Sequence, residues 1–234
     1  MKALKFLLSL SLVFAFVSTL SAQKKDPVEI YGSGKNIVDI KPLKDPINNS
    51  KEWRRAEVVI KGIENPDPAA VSADEKKWIR DVVLDLTLVY AKPGGDKWNP
   101  KNWIVLKTKS ELVAIESGKN TRLSFFMPPE IRDLYRLQDS QRLFYIIDLS
   151  VMGNKIALTK QNLKKFISSS LTSKIKNLEQ FNKLRGDLEK ASTVNEGWLI
   201  PLPKAPFHIQ YEEYYGKNKP SGNSVVIPSY KIDK

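Results

Sequence analysis

WIRDVVLDLTLVYAK, residues 78–92, decides the fold class. Trp78, Val82, Leu84, Leu86, Leu88 and Tyr90 fall on one side of an extended chain, and Asp81, Asp85 and Thr87 fall on the other. Successive side chains of a strand point to opposite faces of its sheet, so this alternation reads as a long half-buried strand. The same period runs through WRRAEVVIKG (53–62), with Ala56, Val58 and Ile60 facing inward and Arg55, Glu57 and Lys61 facing water. It returns in RLFYIIDLSVMGN (142–154), where Leu143, Tyr145, Ile147, Leu149 and Val151 are inward and Arg142, Asp148 and Ser150 outward. Shorter candidate strands are 28–31, 37–40, 103–107, 112–115 and 121–127.

GSGKN, ENPDP, KPGGDKWNP, ESGKN and MGNK separate these runs and carry Gly, Pro or Asn where the chain must bend. No helix long enough for parallel crossovers interleaves with the strands, which with the Gly/Pro turns points to an immunoglobulin-like β-sandwich of antiparallel strands. PPEIRDLYRL (128–137) reads as a short helix between two late strands.

The period changes at Thr159. In TKQNLKKFISSSLTSKIKNLEQFNKLRGDLEKAS (159–192), Leu163, Phe166/Ile167, Leu171, Ile175, Leu178, Phe181, Leu184 and Leu188 recur every three or four residues, the stripe of an amphipathic helix. Ser168–Ser170 and Thr172-Ser173 are poor helix formers and predict a break into two helices. The stripe needs a partner, either the sandwich or another chain. Beyond it, WLIPLPKAPFHIQYEEYY (198–215) alternates Phe207, Ile209 and Tyr211 with His208 and Gln210, a last strand over 206–214. The prolines before it confine the preceding residues to an edge or loop. Residues 216–234 read as a flexible basic tail in which SVVIPSY can add to a sheet edge.

MKALKFLLSLSLVFAFVSTLSAQ has the basic start, short apolar core and small-residue end of a secretory signal peptide cleaved after Ala22. The expected organisation is therefore a signal over 1–22, a sandwich over 23–215 that includes the helical segment 159–191, and the tail. The location is periplasmic, outer-membrane-associated or on the cell surface. The chain has no cysteine, which removes disulfides, thiolate catalysis, cysteine metal sites and lipid acylation at the cleavage point. It carries a formal net charge of +12, and much of the surplus lies between Lys155 and Lys190. Lys160, Lys164, Lys165, Lys174 and Lys176 are the candidate basic interaction face, open to an anionic polymer or lipid surface. Trp98 and Trp198 are candidate aromatic anchors.

Asp81 and Asp85 invite comparison with the carboxylate pair of a hydrolase. Same-face residues four apart on a strand are about 13 Å apart, whereas glycosidases need about 5.5 Å for retention or 6.5–9.5 Å for inversion. Cross-strand pairing with Arg55, Lys61 or Arg142 is the better reading. His208 is the only histidine, which rules out multi-histidine zinc sites, and no G-x-S-x-G elbow presents a serine to it. YGSGKN lacks the first glycine and the Ser/Thr of a phosphate loop. No catalytic, cofactor or metal residues are assigned.

The signal peptide, the strands WRRAEVVIKGIENP, WIRDVVLDLTLVYAKP, SELVAIESGKNTRLSFFMPPEIRDLYRL and RLFYIIDLSVMGN, and the lysine-rich segment resemble the verrucomicrobial exported immunoglobulin-like proteins associated with a type IV pilus gene cluster. The resemblance implies a non-enzymatic, pilus-associated role and no catalytic residues. True pilins carry a Gly followed by a Phe-Thr-Leu-x-Glu-like apolar helix at the cleavage point, whereas Ala22-Gln23 here leads into KKDPVEI. The expected partners are proteins of the envelope or pilus machinery, with a second copy of the chain and an anionic surface as further options. An envelope hydrolase or carbohydrate-binding module is the alternative function.

Overall fold

A computed structural model describes residues 29–31, 38–44, 52–61, 65, 69–138, 141–159, 162–191, 193–206, 225–226 and 229–231. The expected signal peptide, Lys160, the GSGKN loop, His208 and all but Pro206 of the expected strand 206–214 lie outside them.

Two sheets face each other. The first contains β1 (Glu29–Tyr31), β2 (Val38–Lys44), β3 (Glu52–Lys61), β6 (Asn120–Met127), β10 (Ile200–Pro201) and β11 (Val225–Val226). Its centre is the antiparallel pair β3–β6, with β1 and β2 sharing the outer edge of β3. The second sheet contains β4 (Trp78–Ala91), β5 (Trp103–Glu116), β7 (Arg142–Val151), β8 (Asn154–Lys155), β9 (Thr193–Glu196) and β12 (Ser229–Tyr230). β4 lies between β5 and β7, and β9 and β12 share the outer edge of β5. The expected strands 103–107 and 112–115 are halves of one 14-residue strand, because Thr108 and Ser110 continue its inward face and are buried despite their hydroxyls.

The alternating residues fill the space between the sheets. Ala56, Val58, Ile60, Leu123 and Phe125 from the first meet Leu84, Leu86, Leu88, Leu106 and Ile147 from the second, each at most 2% exposed. The start of β4 departs from the simple alternation. Trp78, expected inside, is 43% exposed, and Ile79 takes the core position at 0%. The reason is Asp81, whose left-handed φ of 50° inserts a kink that exchanges the two faces. Aspartate tolerates that region better than most residues, and the kink is held by Met152 N–H donating to the Asp81 carbonyl at 3.0 Å. Glu57 is a second departure. Read as solvent-facing, it is 6% exposed and ion-paired with Arg55 at 3.5 Å and Arg122 at 3.7 Å.

α1 (Ala73–Lys77) precedes β4 behind a Ser72–Glu75 capping box. α2 (Pro129–Tyr135) is the expected helix of PPEIRDLYRL. The helical insertion is broken, but into three helices and not the expected two: α3 (Leu163–Phe166), α4 (Ser169–Thr172), which the serines expected to form the break themselves build, and α5 (Leu178–Glu189). The serines have a partner that explains the break. Ser168 N–H donates to the Tyr145 carbonyl at 3.2 Å and Ser170 Oγ to the Leu143 carbonyl at 2.6 Å, so they satisfy acceptors on the free edge of β7.

The stripe packs on its own domain. Leu163, Ile167, Leu171, Phe181 and Leu188 form a second core with Val89, Ala91, Trp103, Val105, Phe144 and Ile146 on the outer face of the second sheet. The molecule is thus three layers, sheet on sheet with helices over one outer face. Within the tail, SVVIPSY adds to sheet edges as its sequence suggested. Residues 225–226 and 229–230 are strands, one pair on each sheet, with β-branched Val225 and Val226 in the first.

Candidate functional site

The outer face of the second sheet changes character partway along three neighbouring strands. Register places Val89 beside Val105 and Phe144, then Thr87 beside Lys107 and Ile146, then Asp85 beside Lys109 and Asp148. Apolar rungs thus give way to charged ones. The helices cover the apolar rungs, since water-free packing stabilises only apolar side chains there. The charged rungs stay open and floor a groove of about 770 Å³. Arg185, Leu188 and Glu189 of α5 form one wall; Glu196, Gly197, Ile200, Pro201 and Lys204 form the other.

The floor holds an acid pair that the sequence reading did not join. Asp148 is held by Arg185 at 2.5 Å and Lys155 at 3.2 Å. Asp85 lies directly across from it, a spacing at which side-chain Cβ atoms are about 4.5–5.5 Å apart. Burial raises the Asp85 carboxyl above its ordinary value, and the neighbouring Asp148 charge raises it further. Lys109, Asp85's other neighbour, reaches Glu111 at 2.5 Å. A group whose pKa is raised in the fold contributes stability below its unfolded value and loses it as pH rises through the folded one. Asp85→Asn should therefore raise the unfolding free energy at pH 7, by up to about 1 kcal/mol on the scale of a like-charge cross-strand pair. The gain should vanish near pH 3, which denaturant titrations at the two pH values would check.

The expected partners of the aspartates are corrected by topology. Arg55 and Lys61 belong to β3 in the other sheet, and Arg142 lies opposite Tyr90. Asp81 instead accepts from Lys231 Nζ at 2.6 Å. The expected basic face is distributed over several elements. Lys164 and Lys165 are on α3, Lys174 follows α4, and Lys176 precedes α5. Lys174 Nζ sits 4.3 Å over the Trp98 ring, which is stacked on Phe144 at 6.0 Å. Trp98 is thus a partly exposed platform on a loop fixed by Asp96, Asn99 and Asn102. Trp198 packs against the central core and Tyr135, at 5.4 Å between rings, and serves the fold. Among the described residues, no group of three or more His, Asp or Glu could hold a metal ion, and no helix is long and apolar enough to cross a membrane.

The missed signal was available. Val89, Ala91, Phe144 and Ile146 are apolar on the faces assigned to water, and the strand at 103–107 adds Trp103 and Val105 beside them; apolar residues on the outward side of neighbouring strands imply a covering layer. The Asp85–Asp148 pairing was not available, because a single sequence does not fix the register between residues so far apart.

Two packed sheets with mainly antiparallel pairing make this an immunoglobulin-like β-sandwich protein with a helical insertion. No family model matches the chain, and no curated protein matches it. A solved structure of a protein from Akkermansia muciniphila is similar, with a TM-score of 0.54 and 13% identity over 88% of this chain and 94% of that one. The neighbour comes from a verrucomicrobium, and the likeness establishes a shared fold.

Proposed function

We propose that the chain is a non-enzymatic interaction and assembly protein of a bacterial envelope, working with a type IV pilus system. The groove over the second sheet is the observation that carries this reading. Its charges of both signs are fixed by the strands, α5 and the segment 196–204, so it presents a preorganised polar surface to a protein segment. The signal-like N-terminus supports an envelope location, and the pilus link rests on the sequence resemblance.

A hydrolase or carbohydrate-binding module is the second reading, favoured by the facing Asp85 and Asp148. Two assays separate them. Affinity capture from envelope extracts should retain a partner with the wild-type chain and lose it with Asp148→Arg, while polysaccharide turnover stays at background. Turnover that disappears with Asp85→Asn or Asp148→Asn would establish the second reading instead.

A further inference from the structure

The two aspartates of the groove floor are unequally provided for. Asp148 holds Arg185 and Lys155. Asp85 lines the same floor, and Lys109, its neighbour on β5, is drawn to Glu111 instead. Among the described residues the Asp85 carboxylate makes no hydrogen bond and no ion pair. Burial and the nearby Asp148 charge hold its carboxyl above the ordinary value. A partly buried carboxylate without a partner is unfavourable, and a cation brought by a ligand relieves that.

The groove supplies more than the charge. Ile146 stands one rung from Asp85 on β7, Leu188 lies in the α5 wall, and Ile200 and Pro201 lie in the wall opposite. Apolar walls above a carboxylate suit a long side chain with an aliphatic stem and a cationic head. Lysine and arginine are of this kind, since they lay their methylenes along apolar surface while the head keeps a polar contact. Lys107 and Lys204 also line the groove, so the attraction is local to Asp85 and not a property of the whole surface.

We infer that the segment docked in this groove presents an arginine or lysine whose head group pairs with Asp85. The inference rests on the docking reading and adds the chemistry of the residue that the groove receives. It gives the aspartates different work: Asp148 ties α5 to the sheet through Arg185, and Asp85 takes the partner's charge.

N-acetylarginine amide, titrated into the isotopically labelled full chain, tests it, with the neutral isostere N-acetylcitrulline amide as control. The Asp85 carboxyl and Gly197 amide resonances should shift saturably with a Kd of about 1 mM, the affinity within reach of a ligand of that size. The Asp85 titration midpoint should fall while the probe is bound, because a cation favours the charged carboxylate. Citrulline, and arginine added to Asp85→Asn, should bind at least about tenfold more weakly, the scale of one lost charge-assisted contact. Should Asp85→Asn not fold, the comparison of arginine with citrulline on the wild-type chain decides alone. No saturable shift well above that concentration, citrulline binding as tightly as arginine, or arginine binding unchanged in folded Asp85→Asn would overturn the inference. An envelope partner trapped in the groove with no response to the arginine probe would overturn it too, while leaving the docking reading in place.

Discussion

Phe181→Ala should cost about 3–5 kcal/mol of folding stability, the usual range for removing a buried aromatic ring. Phe181 is 1% exposed and sits in the core that the helices share with the outer face of the second sheet. Domains are stable by only about 5–15 kcal/mol, so the melting temperature should fall by roughly 6–20 °C for a chain of this size. The ring also carries the Arg185 guanidinium, whose Cζ lies 4.9 Å from its centroid. Loss of Phe181 therefore loosens the residue that holds Asp148. Charge reversal at the exposed Lys164 and Lys176 should leave stability within about 0.5 kcal/mol of wild type. Thermal denaturation of the three variants checks both statements. Equal, small effects would mean that the stripe is an interface for another chain and not part of this domain.

Asp148→Ala has the second largest expected effect. It leaves Arg185 and Lys155 without the carboxylate between them, and removing a charged hydrogen-bond partner costs about 1–3 kcal/mol in a partly buried site. Asp85 loses its like-charged neighbour, so its raised pKa should move back toward the ordinary value, although the larger cause, burial, remains. Carbon-detected titration of the Asp85 carboxyl would follow the change. For a groove that docks a protein segment, the altered electrostatics should weaken the partner's affinity by about ten- to a hundredfold. A carboxyl titration identical to wild type would show that the two aspartates are not electrostatically coupled.

How much of this could be read in advance differs between elements. Val82, Leu84, Leu86, Leu88 and Tyr90 showed the core face of β4 because a half-buried strand needs that alternation. The face exchange at Asp81 was hidden, since a single positive φ leaves no period behind. The helical stripe was plain in Leu163, Leu171, Phe181 and Leu188, and an interruption near the serines was plain too, though Ser169–Thr172 form a short helix of their own between two breaks. Its docking surface was obscured by reading only one face of each strand. The candidate site depended on register. Asp85 and Asp148 are ordinary strand carboxylates until β4 and β7 are aligned, and the groove exists only because α5 and the segment 196–204 stop at the charged rungs. The lysines that dominated the composition turned out to be divided among α3 and the turns around α4 and α5.

Photo-crosslinking from the groove tests the central claim most directly. A benzoylphenylalanine placed at Lys204, on the groove wall opposite α5, should trap one envelope protein in living cells, and Asp148→Arg should remove that product while the chain stays folded. The same partner trapped from position 176 and not from 204, unaffected by Asp148→Arg, would contradict the assignment of the groove as the docking site.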